Sequence, residues 1–184
     1  MRIIGGKAKG RTLRFPSGSK ERPTSDFLRE TLFNLLGSLQ NKTFLDLFAG
    51  SGSVGLEAAS RGAQSIIFVE KNKDLVEVIR KNIQTCCSET NCRIIAGDIE
   101  FGLRDLFKKK CEVDIIFADP PYNRDLVKAT LRCLNGNHIL RKDGILVIQH
   151  SIKENFNDPI DNIYQTDQRK YGDNALTFFK MEWI

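Results

Sequence analysis

The fold of this 184-residue chain is decided by ten residues, Asp46-Leu47-Phe48-Ala49-Gly50-Ser51-Gly52-Ser53-Val54-Gly55. An apolar run at 43–48 leads into this stretch, and small residues continue from it to position 61. Glycines in this context allow a tight turn and a close approach of the backbone to a ligand, and the N-terminus of the following helix offers unpaired N–H donors. The stretch therefore predicts a strand, a glycine-rich turn and a helix around a cofactor pocket.

Outward from this stretch, apolar runs alternate with helical patterns. The predicted strands lie at 43–48, 65–69, 93–96, 113–118 and 145–149, and the predicted helices at 28–39, 53–61, 72–86, 101–110 and 125–134. The first helix carries leucines on one face at positions 28, 32, 35, 36 and 39. Apolar strands without alternation, separated by helices, are typical of a parallel sheet covered on both faces. We therefore expect a doubly wound, Rossmann-like α/β sheet.

The two ends of the chain differ from this middle. Residues 1–24 hold glycines and prolines among short β-prone stretches, which predicts a hairpin arm packed against the main sheet. Two β-prone stretches, 162–166 and 175–183, predict a C-terminal hairpin around the turn at 170–173. A chain of this length supports one well-buried core, so we expect residues 1–184 to form a single domain.

Positive charge is concentrated near the start of the chain. The net charge is +5, and the first 29 residues carry only two acidic residues, Glu21 and Asp26, against eight basic ones: Arg2, Lys7, Lys9, Arg11, Arg14, Lys20, Arg22 and Arg29. This asymmetry predicts a phosphate-facing arm. A second basic cluster at 108–110 also suits an ordinary solvated helix end, because cations stabilise the helix dipole there.

Several classes of protein are disfavoured. The five cysteines (Cys86, Cys87, Cys92, Cys111 and Cys133) have no metal-ligand spacing, so we expect plain thiols, no metal and a reducing compartment. No signal peptide and no apolar run of membrane-spanning length is apparent, which predicts a cytoplasmic protein. His138 and His150 have no partner motif and are expected at the surface or at a strand end.

Acidic residues near the glycines bear on the cofactor. The glycine motif alone fits NAD as well as S-adenosylmethionine, and Glu70 suits a ribose-binding acid in either case. Asp46 favours S-adenosylmethionine, because a carboxylate at that place repels a pyrophosphate and attracts an ammonium group. Asp98 follows the third strand and suits either an adenine-amine acceptor or a helix N-cap.

The strongest signal is Asp119-Pro120-Pro121-Tyr122, directly after the strand at 113–118. The prolines preset an extended backbone and leave carbonyls free to point into a pocket. The Asp119 carboxylate and the Pro120 carbonyl can bind the N–H groups of an exocyclic amine, so that its lone pair aims at a methyl donor. Tyr122 offers a flat surface for the base. The four residues predict methylation of a base amine.

The sequence resembles the bacterial RsmD family of 16S ribosomal RNA guanine-N2 methyltransferases. The resemblance rests on residues 46–63 together with 119–122, and is supported by 2–11, by Arg22-Pro23-Thr24 with 29–33, and by Arg169-Lys170-Tyr171-Gly172. It covers nearly the whole chain. Without it, Arg169 and Tyr171 would suit a simple hairpin turn equally well.

The resemblance implies a function and a set of site residues. The expected activity is methylation of the N2 amine of a 16S rRNA guanine with S-adenosyl-L-methionine, on an assembled small subunit and by a monomer. The expected catalytic residues are Asp119, Pro120, Pro121 and Tyr122. The expected cofactor-binding residues are Arg22, Thr24, Asp46, Phe48, Gly50, Ser51, Gly52, Gly55, Glu70, Lys71, Asp98, Ile99 and Asp119.

Two other functions fit part of the pattern. An adenine-N6 methyltransferase acting on DNA or RNA would use the same clamp, although the chain has little room for the separate target-recognition domain that sequence-specific DNA enzymes need. A binding protein with a vestigial cofactor fold is disfavoured, because the glycine turn and the clamp are both complete.

Overall fold

A computed structural model describes residues 1–15, 25–122, 125–154 and 160–182. Helices and strands alternate along it in the order α1 (Asp26–Leu36), β1 (Thr43–Leu47), α2 (Ser53–Ser60), β2 (Ser65–Glu70), α3 (Lys73–Cys86), β3 (Asn91–Ala96), α4 (Ile99–Lys108), β4 (Val113–Ala118), α5 (Leu126–Asn135), β5 (Leu140–Ser151), β6 (Ile163–Tyr171) and β7 (Asn174–Met181).

The described strands form one seven-stranded sheet in the order β3-β2-β1-β4-β5-β7-β6. The strands β1 to β5 are parallel to one another, and β7 lies antiparallel between β5 and β6. The direction in which the strand order runs reverses between β1 and β4, which is where open α/β sheets bind ligands. The predicted doubly wound sheet and C-terminal hairpin are confirmed.

The core has one layer on each face of the sheet. Phe44, Phe68 and Phe117 face α1, α2 and α3, whereas the neighbouring residues Leu45 and Ile116 face α4 and α5. Successive side chains of a strand point to opposite faces, so a sheet covered on both sides needs apolar residues at every position. This explains why the strands appear in the sequence as unbroken apolar runs.

The first helix is shorter than its leucine pattern predicts. Ser25 caps its N-terminus by accepting a hydrogen bond from the Leu28 N–H at 3.2 Å. The helix ends at Leu36 because Gly37 takes the left-handed φ of 68°. Leu35, expected on the buried face, is 42% exposed, whereas Leu39 is buried beyond the helix end. The prediction was therefore wrong for Leu35 and for the last turn.

The N-terminal arm folds back as a hairpin closed by a bridge between Arg2 and Thr12. Its apolar residues Ile3, Ala8 and Leu13 belong to the core layer on the α1, α2 and α3 face of the sheet. The Glu57 carboxylate of α2 accepts the N–H groups of Ile4 and Gly5, each at 2.8 Å. Glu57 is fully buried, and a buried carboxylate requires such donors. The described part of the arm thus supplies backbone hydrogen-bond donors to a carboxylate buried inside the protein.

Arg29 was predicted to belong to the phosphate-facing arm, and that prediction is wrong. Its side chain is fully buried, and Nη2 donates to the Arg2 carbonyl at 2.6 Å and to Asp26 Oδ1 at 2.9 Å. Its Nε lies 3.7 Å from Glu57 Oε2, and burial lowers the pKa of the guanidinium. Among the described basic residues of the arm, those exposed to solvent are Arg2, Lys7, Lys9, Arg11 and Arg14.

The histidines and cysteines lie in ordinary structural positions. His138 is exposed, as expected. His150 lies at the end of β5, the strand-end position that was expected, and is 1% exposed. Its ring nitrogens pair with the Ser151 carbonyl and the Thr177 hydroxyl. The five cysteines are free, and burial raises the pKa of Cys87 to about 11. In the described ranges no acidic, histidine or cysteine cluster fits a metal ion, and no helix could cross a bilayer.

Candidate active site

The turns after β1 and β4 lie side by side at the point where the strand order reverses. Leu47 at the end of β1 pairs with Ala118 at the end of β4 on one side and with Val69 of β2 on the other. The residues that follow these three strands are therefore neighbours in space although they lie far apart in sequence. The geometry brings the glycine turn, Glu70 and Asp119 together, as the sequence predicted.

The glycine turn needs left-handed backbone at three positions. Phe48, Gly50 and Gly52 have φ values of 61°, 58° and 79°. A Cβ at Gly50 would meet open space, so glycine is needed there for its conformation and leaves the backbone accessible. A Cβ at Gly55 would lie 2.4 Å from the Phe68 ring, so that glycine lets α2 pack closely on β2. The turn therefore combines an open backbone with a tightly packed base.

Asp46 lies beneath the turn, inside β1. It is 2% exposed, and its Oδ2 accepts the Gly55 N–H at 2.8 Å. Burial raises the pKa of Asp46 well above 3.8, and the nearby carboxylates of Asp119 and Glu70 raise it further. This arrangement gathers negative charge that a cationic ligand would stabilise.

Glu70 connects the end of β2 to the glycine turn. Its Oε2 accepts the Gly50 N–H and its Oε1 accepts the Asn72 N–H, each at 2.8 Å. The residue is 7% exposed, whereas Lys71 directly after it is exposed. Neither Asp46 nor Glu70 forms an ion pair with any residue in the described part of the chain. The two acids are held by backbone donors rather than neutralised by cations.

Asp98 caps the helix α4. Its Oδ1 accepts the Phe101 N–H at 2.8 Å, so the structural alternative weighed for this residue is observed. Asp98 is exposed and Ile99 is half-buried, beside the exposed ring of Phe101. A carboxylate has several acceptor sites, so the cap leaves capacity for another hydrogen bond. An adenine contact at Asp98 stays a prediction.

Asp119 to Tyr122, the segment predicted to bind the amine and called the clamp below, follow directly after β4. Asp119 is half-buried, Pro120 is buried, and Pro121 and Tyr122 are exposed. The Tyr122 hydroxyl donates to Asn174 Oδ1 at 2.7 Å. This bond joins the clamp to β7, so the sheet fixes the tyrosine ring at the mouth of the site.

Sequence reasoning missed two residues that support the clamp, Gln149 and Asn174. Gln149 Nε2 donates to Asp119 Oδ2 at 3.1 Å and to the Tyr122 hydroxyl at 3.2 Å. A signal for Gln149 was present, because a polar side chain closes the apolar run of β5, next to β4 in the sheet. Asn174 carried no signal of its own, since its position depends on β7 lying beside β5.

A shallow pocket opens beside the clamp. Its aromatic walls are Phe27 and Tyr171, whose ring centroids lie 5.8 Å apart in an edge-on arrangement, and Asn174 also lines it. Phe27 is 63% exposed. Nearby on β6, Arg169 donates to Asp167 Oδ2 at 2.8 Å, as a residue that stabilises the hairpin would. The tail loop thus borders the clamp as well as supporting a turn.

A family model described as "Conserved hypothetical protein 95" matches residues 1–180. Over 154 residues, 83% of this chain and 76% of the relative, the sequence is 34% identical to ribosomal RNA small subunit methyltransferase D of Escherichia coli. The chain belongs to the RsmD family. This membership confirms the resemblance drawn from residues 46–63 and 119–122.

Solved structures agree with the RsmD assignment. YhhF of Escherichia coli, provisionally described as a methyltransferase, superposes with a TM-score of 0.85 at 32% identity. The superposition covers 99% of this chain and 98% of the YhhF chain. SMU.776, which was crystallised with S-adenosylhomocysteine, has a TM-score of 0.65 at 19% identity over 84% of this chain and 48% of its own. The second likeness concerns the fold alone.

The predicted site residues fall into three groups according to where they lie. Asp46, Glu70 and Asp119 surround the glycine turn, with Phe48 and Ser51 inside it and Lys71 beside it. Asp98 and Ile99 lie at the neighbouring strand end. Arg22 and Thr24 lie outside the described residues.

Proposed function

We propose that the protein transfers a methyl group from S-adenosyl-L-methionine to the exocyclic N2 of a guanine in 16S rRNA. One observation carries the proposal: the Asp119–Tyr122 clamp stands beside an open glycine turn that is bordered by the buried acids Asp46 and Glu70. The acids suit a cationic methyl donor, and the clamp suits a planar amine. The two partners of a methyl transfer would then meet at one strand edge.

The residues present fit S-adenosylmethionine better than a dinucleotide. Asp46 lies where a dinucleotide would bring its pyrophosphate, and like charges there would repel. The ammonium and sulfonium groups of S-adenosylmethionine carry the opposite sign. Glu70 and Lys71 would hold the ribose side of the cofactor, Asp98 and Ile99 the adenine, and the loop around Arg22 and Thr24 would close over it.

The bound cofactor would supply an electrophilic methyl group on a sulfonium sulfur. An aromatic amine is a weak nucleophile because its lone pair is delocalised into the ring. Asp119 and the Pro120 carbonyl would each accept one of its N–H groups and favour the pyramidal nitrogen. Transfer of the methyl group would leave the cofactor as a neutral thioether, and the extra proton of the methylated amine would pass to Asp119 or to water. Tyr122 would hold the base by stacking, a contribution of about 1–3 kcal/mol.

Family membership supports the choice of substrate. The Escherichia coli relative is named for the small-subunit ribosomal RNA, and guanine N2 is the position that the RsmD family methylates. The exposed cations Arg2, Lys7, Lys9, Arg11 and Arg14 would contact phosphates without reading sequence. We further propose that the enzyme acts as a monomer in the cytoplasm, on an assembled small subunit.

Labelled S-adenosylmethionine tests the proposal directly. The protein is incubated with unmodified small subunits, with naked 16S rRNA and with duplex DNA, and the labelled nucleoside is identified by mass. We expect N2-methylguanine from the ribosomal substrates and no label in DNA. N6-methyladenine would establish the adenine enzyme instead, and the absence of transfer to any substrate would favour a binding protein.

A further inference from the structure

Gln149 is buried at the centre of the clamp. It lies on β5, opposite Leu176 of β7, and is 4% exposed. Its single NH₂ group donates both to Asp119 Oδ2 and to the Tyr122 hydroxyl. One amide therefore fixes the acid that would bind the amine and the ring that would stack on the base.

The hydrogen-bond chemistry sets the orientation of this amide. An ionised carboxylate only accepts, and the Tyr122 hydroxyl uses its one hydrogen to donate to Asn174 at 2.7 Å. Both neighbours therefore require the NH₂ side of Gln149. The carbonyl Oε1 is left on the other side of the same planar group, buried and without a hydrogen-bond partner.

A buried amide oxygen without a partner destabilises a protein unless a ligand completes its bond. The partner would have to be an N–H or O–H donor close to the acceptors of the clamp. Guanine offers such a donor, because its ring N1–H lies next to its 2-amino group. Adenine offers the reverse, since the ring N1 beside its 6-amino group carries a lone pair that an amide oxygen would repel.

We propose that Gln149 Oε1 accepts the N1–H of the target guanine, so that Gln149 selects guanine over adenine while its NH₂ group positions Asp119 and Tyr122. The inference rests on the proposed function and adds the residue that determines its base specificity. Asp119 and the Pro120 carbonyl then bind the amine that both bases share, and Gln149 reads the adjacent ring atom by which they differ.

The analogue 2-aminopurine tests this assignment, because it keeps the 2-amino group and lacks the N1–H. It also lacks the 6-oxygen of guanine, so the Gln149 variants described below are needed to assign a preference to the N1–H. RNA carrying guanine or 2-aminopurine at the nucleotide mapped by the labelling experiment is compared by kcat/KM. We expect the wild type to prefer guanine by at least about tenfold, the loss of one well-placed hydrogen bond. Equal rates on the two bases would overturn the inference while leaving the proposed function intact.

The variants Gln149→Leu and Gln149→Met separate recognition from positioning. Both remove Oε1, so we expect the preference for guanine over 2-aminopurine to fall to near unity, in addition to any common loss of kcat. If both substrates slowed equally and the preference survived, Gln149 would act only through Asp119 and Tyr122, and the inference would be wrong. Gln168→Leu on β6 is the matched control, because the amide of Gln168 bonds Thr177 rather than the clamp and its loss should leave the preference unchanged.

Unchanged S-adenosylmethionine affinity, measured by calorimetry, shows that each variant is folded. If neither Gln149 variant folds, equal rates of the wild type on the two bases would still overturn the inference. Failure of the wild type to methylate RNA at all would instead refute the proposed function.

Discussion

Acidic residues have opposite surroundings at the two ends of the parallel strands, the edge of the sheet where the strands begin and the edge where they end. At the edge where the strands begin, Asp114 is matched by cations: Arg141 Nη1 lies 3.2 Å and Lys42 Nζ 3.6 Å from its Oδ1. At the edge where the strands end, Asp46 and Glu70 accept backbone N–H groups and form no ion pair with a described residue. The first arrangement stabilises the fold, whereas the second leaves negative charge for a ligand.

The raised pKa of Asp46 is a consequence of this difference. Burial and the nearby carboxylates of Asp119 and Glu70 raise the pKa above 3.8, so the carboxylate is less stable in the protein than in the unfolded chain. A charge that destabilises the fold becomes favourable when a cation binds beside it. The edge where the strands end is thus built for a cationic ligand.

Asp119→Ala should produce the largest effect. It removes an acceptor that acts on the amine in the transition state, so we expect kcat to fall by about 10² to 10³ while the Kd for S-adenosylmethionine changes by less than about threefold. Single-turnover transfer and calorimetry measure the two quantities. Glu112→Ala, at the edge where the strands begin, is the control and should leave both unchanged. A comparable loss of cofactor affinity in Asp119→Ala would make Asp119 a cofactor ligand rather than a clamp residue.

Asp46→Asn should weaken cofactor binding by about tenfold, because it removes one charge beside the cationic cofactor. The amide oxygen can still accept the Gly55 N–H, so the variant should fold. Calorimetric titration at constant ionic strength measures the change. Unaltered affinity would mean that Asp46 serves only the turn.

The same variant should reveal the sign of the pKa shift. The folded protein holds the Asp46 proton to higher pH than the unfolded chain, so wild-type stability falls as pH rises above 3.8 towards the raised pKa. Asp46→Asn lacks this loss. Its free energy of unfolding minus that of the wild type, measured with denaturant, should therefore increase as pH rises through that window, and a difference that stays constant or decreases would contradict the shift.

Asp114→Ala should lower the stability of the fold and leave cofactor affinity unchanged. It leaves the Thr43 N–H without its 2.8 Å acceptor and frees Arg141 and Lys42, so we expect a loss of about 1–3 kcal/mol in the free energy of unfolding. The Kd for S-adenosylmethionine should not change, since Asp114 lies at the opposite edge. A change in that Kd would show that the two edges are coupled.

The smallest effect concerns the arm. Arg14 is exposed, whereas Arg11 already donates to the Thr85 carbonyl at 2.6 Å. Reversing both charges should reduce the slope of log affinity for 16S rRNA against log salt by about 1–2, according to how many phosphate contacts are lost. Lys142→Glu, at the edge where the strands begin, is the matched control. An unchanged slope in the arm variant would remove these residues from the RNA interface.

The sequence predicted the parts of the molecule that depend on neighbours along the chain. The strand at 113–118 matches β4 as observed, and the clamp follows it directly. Arg29 was misplaced because its burial depends on Glu57, which lies on another helix and has no spacing that reveals the pair. Asn174 was missed for a similar reason, since β7 brings it to the clamp only after the sheet is assembled. Gln149 was missed although it closes the apolar run of β5, beside β4.

The acids at the strand ends are expected to select a cationic cofactor. Calorimetric titration of the wild-type protein with S-adenosylmethionine and with NAD tests this expectation most directly. We expect saturable binding of S-adenosylmethionine and no measurable heat of binding with NAD. Saturable binding of NAD with equal or higher affinity would contradict the account.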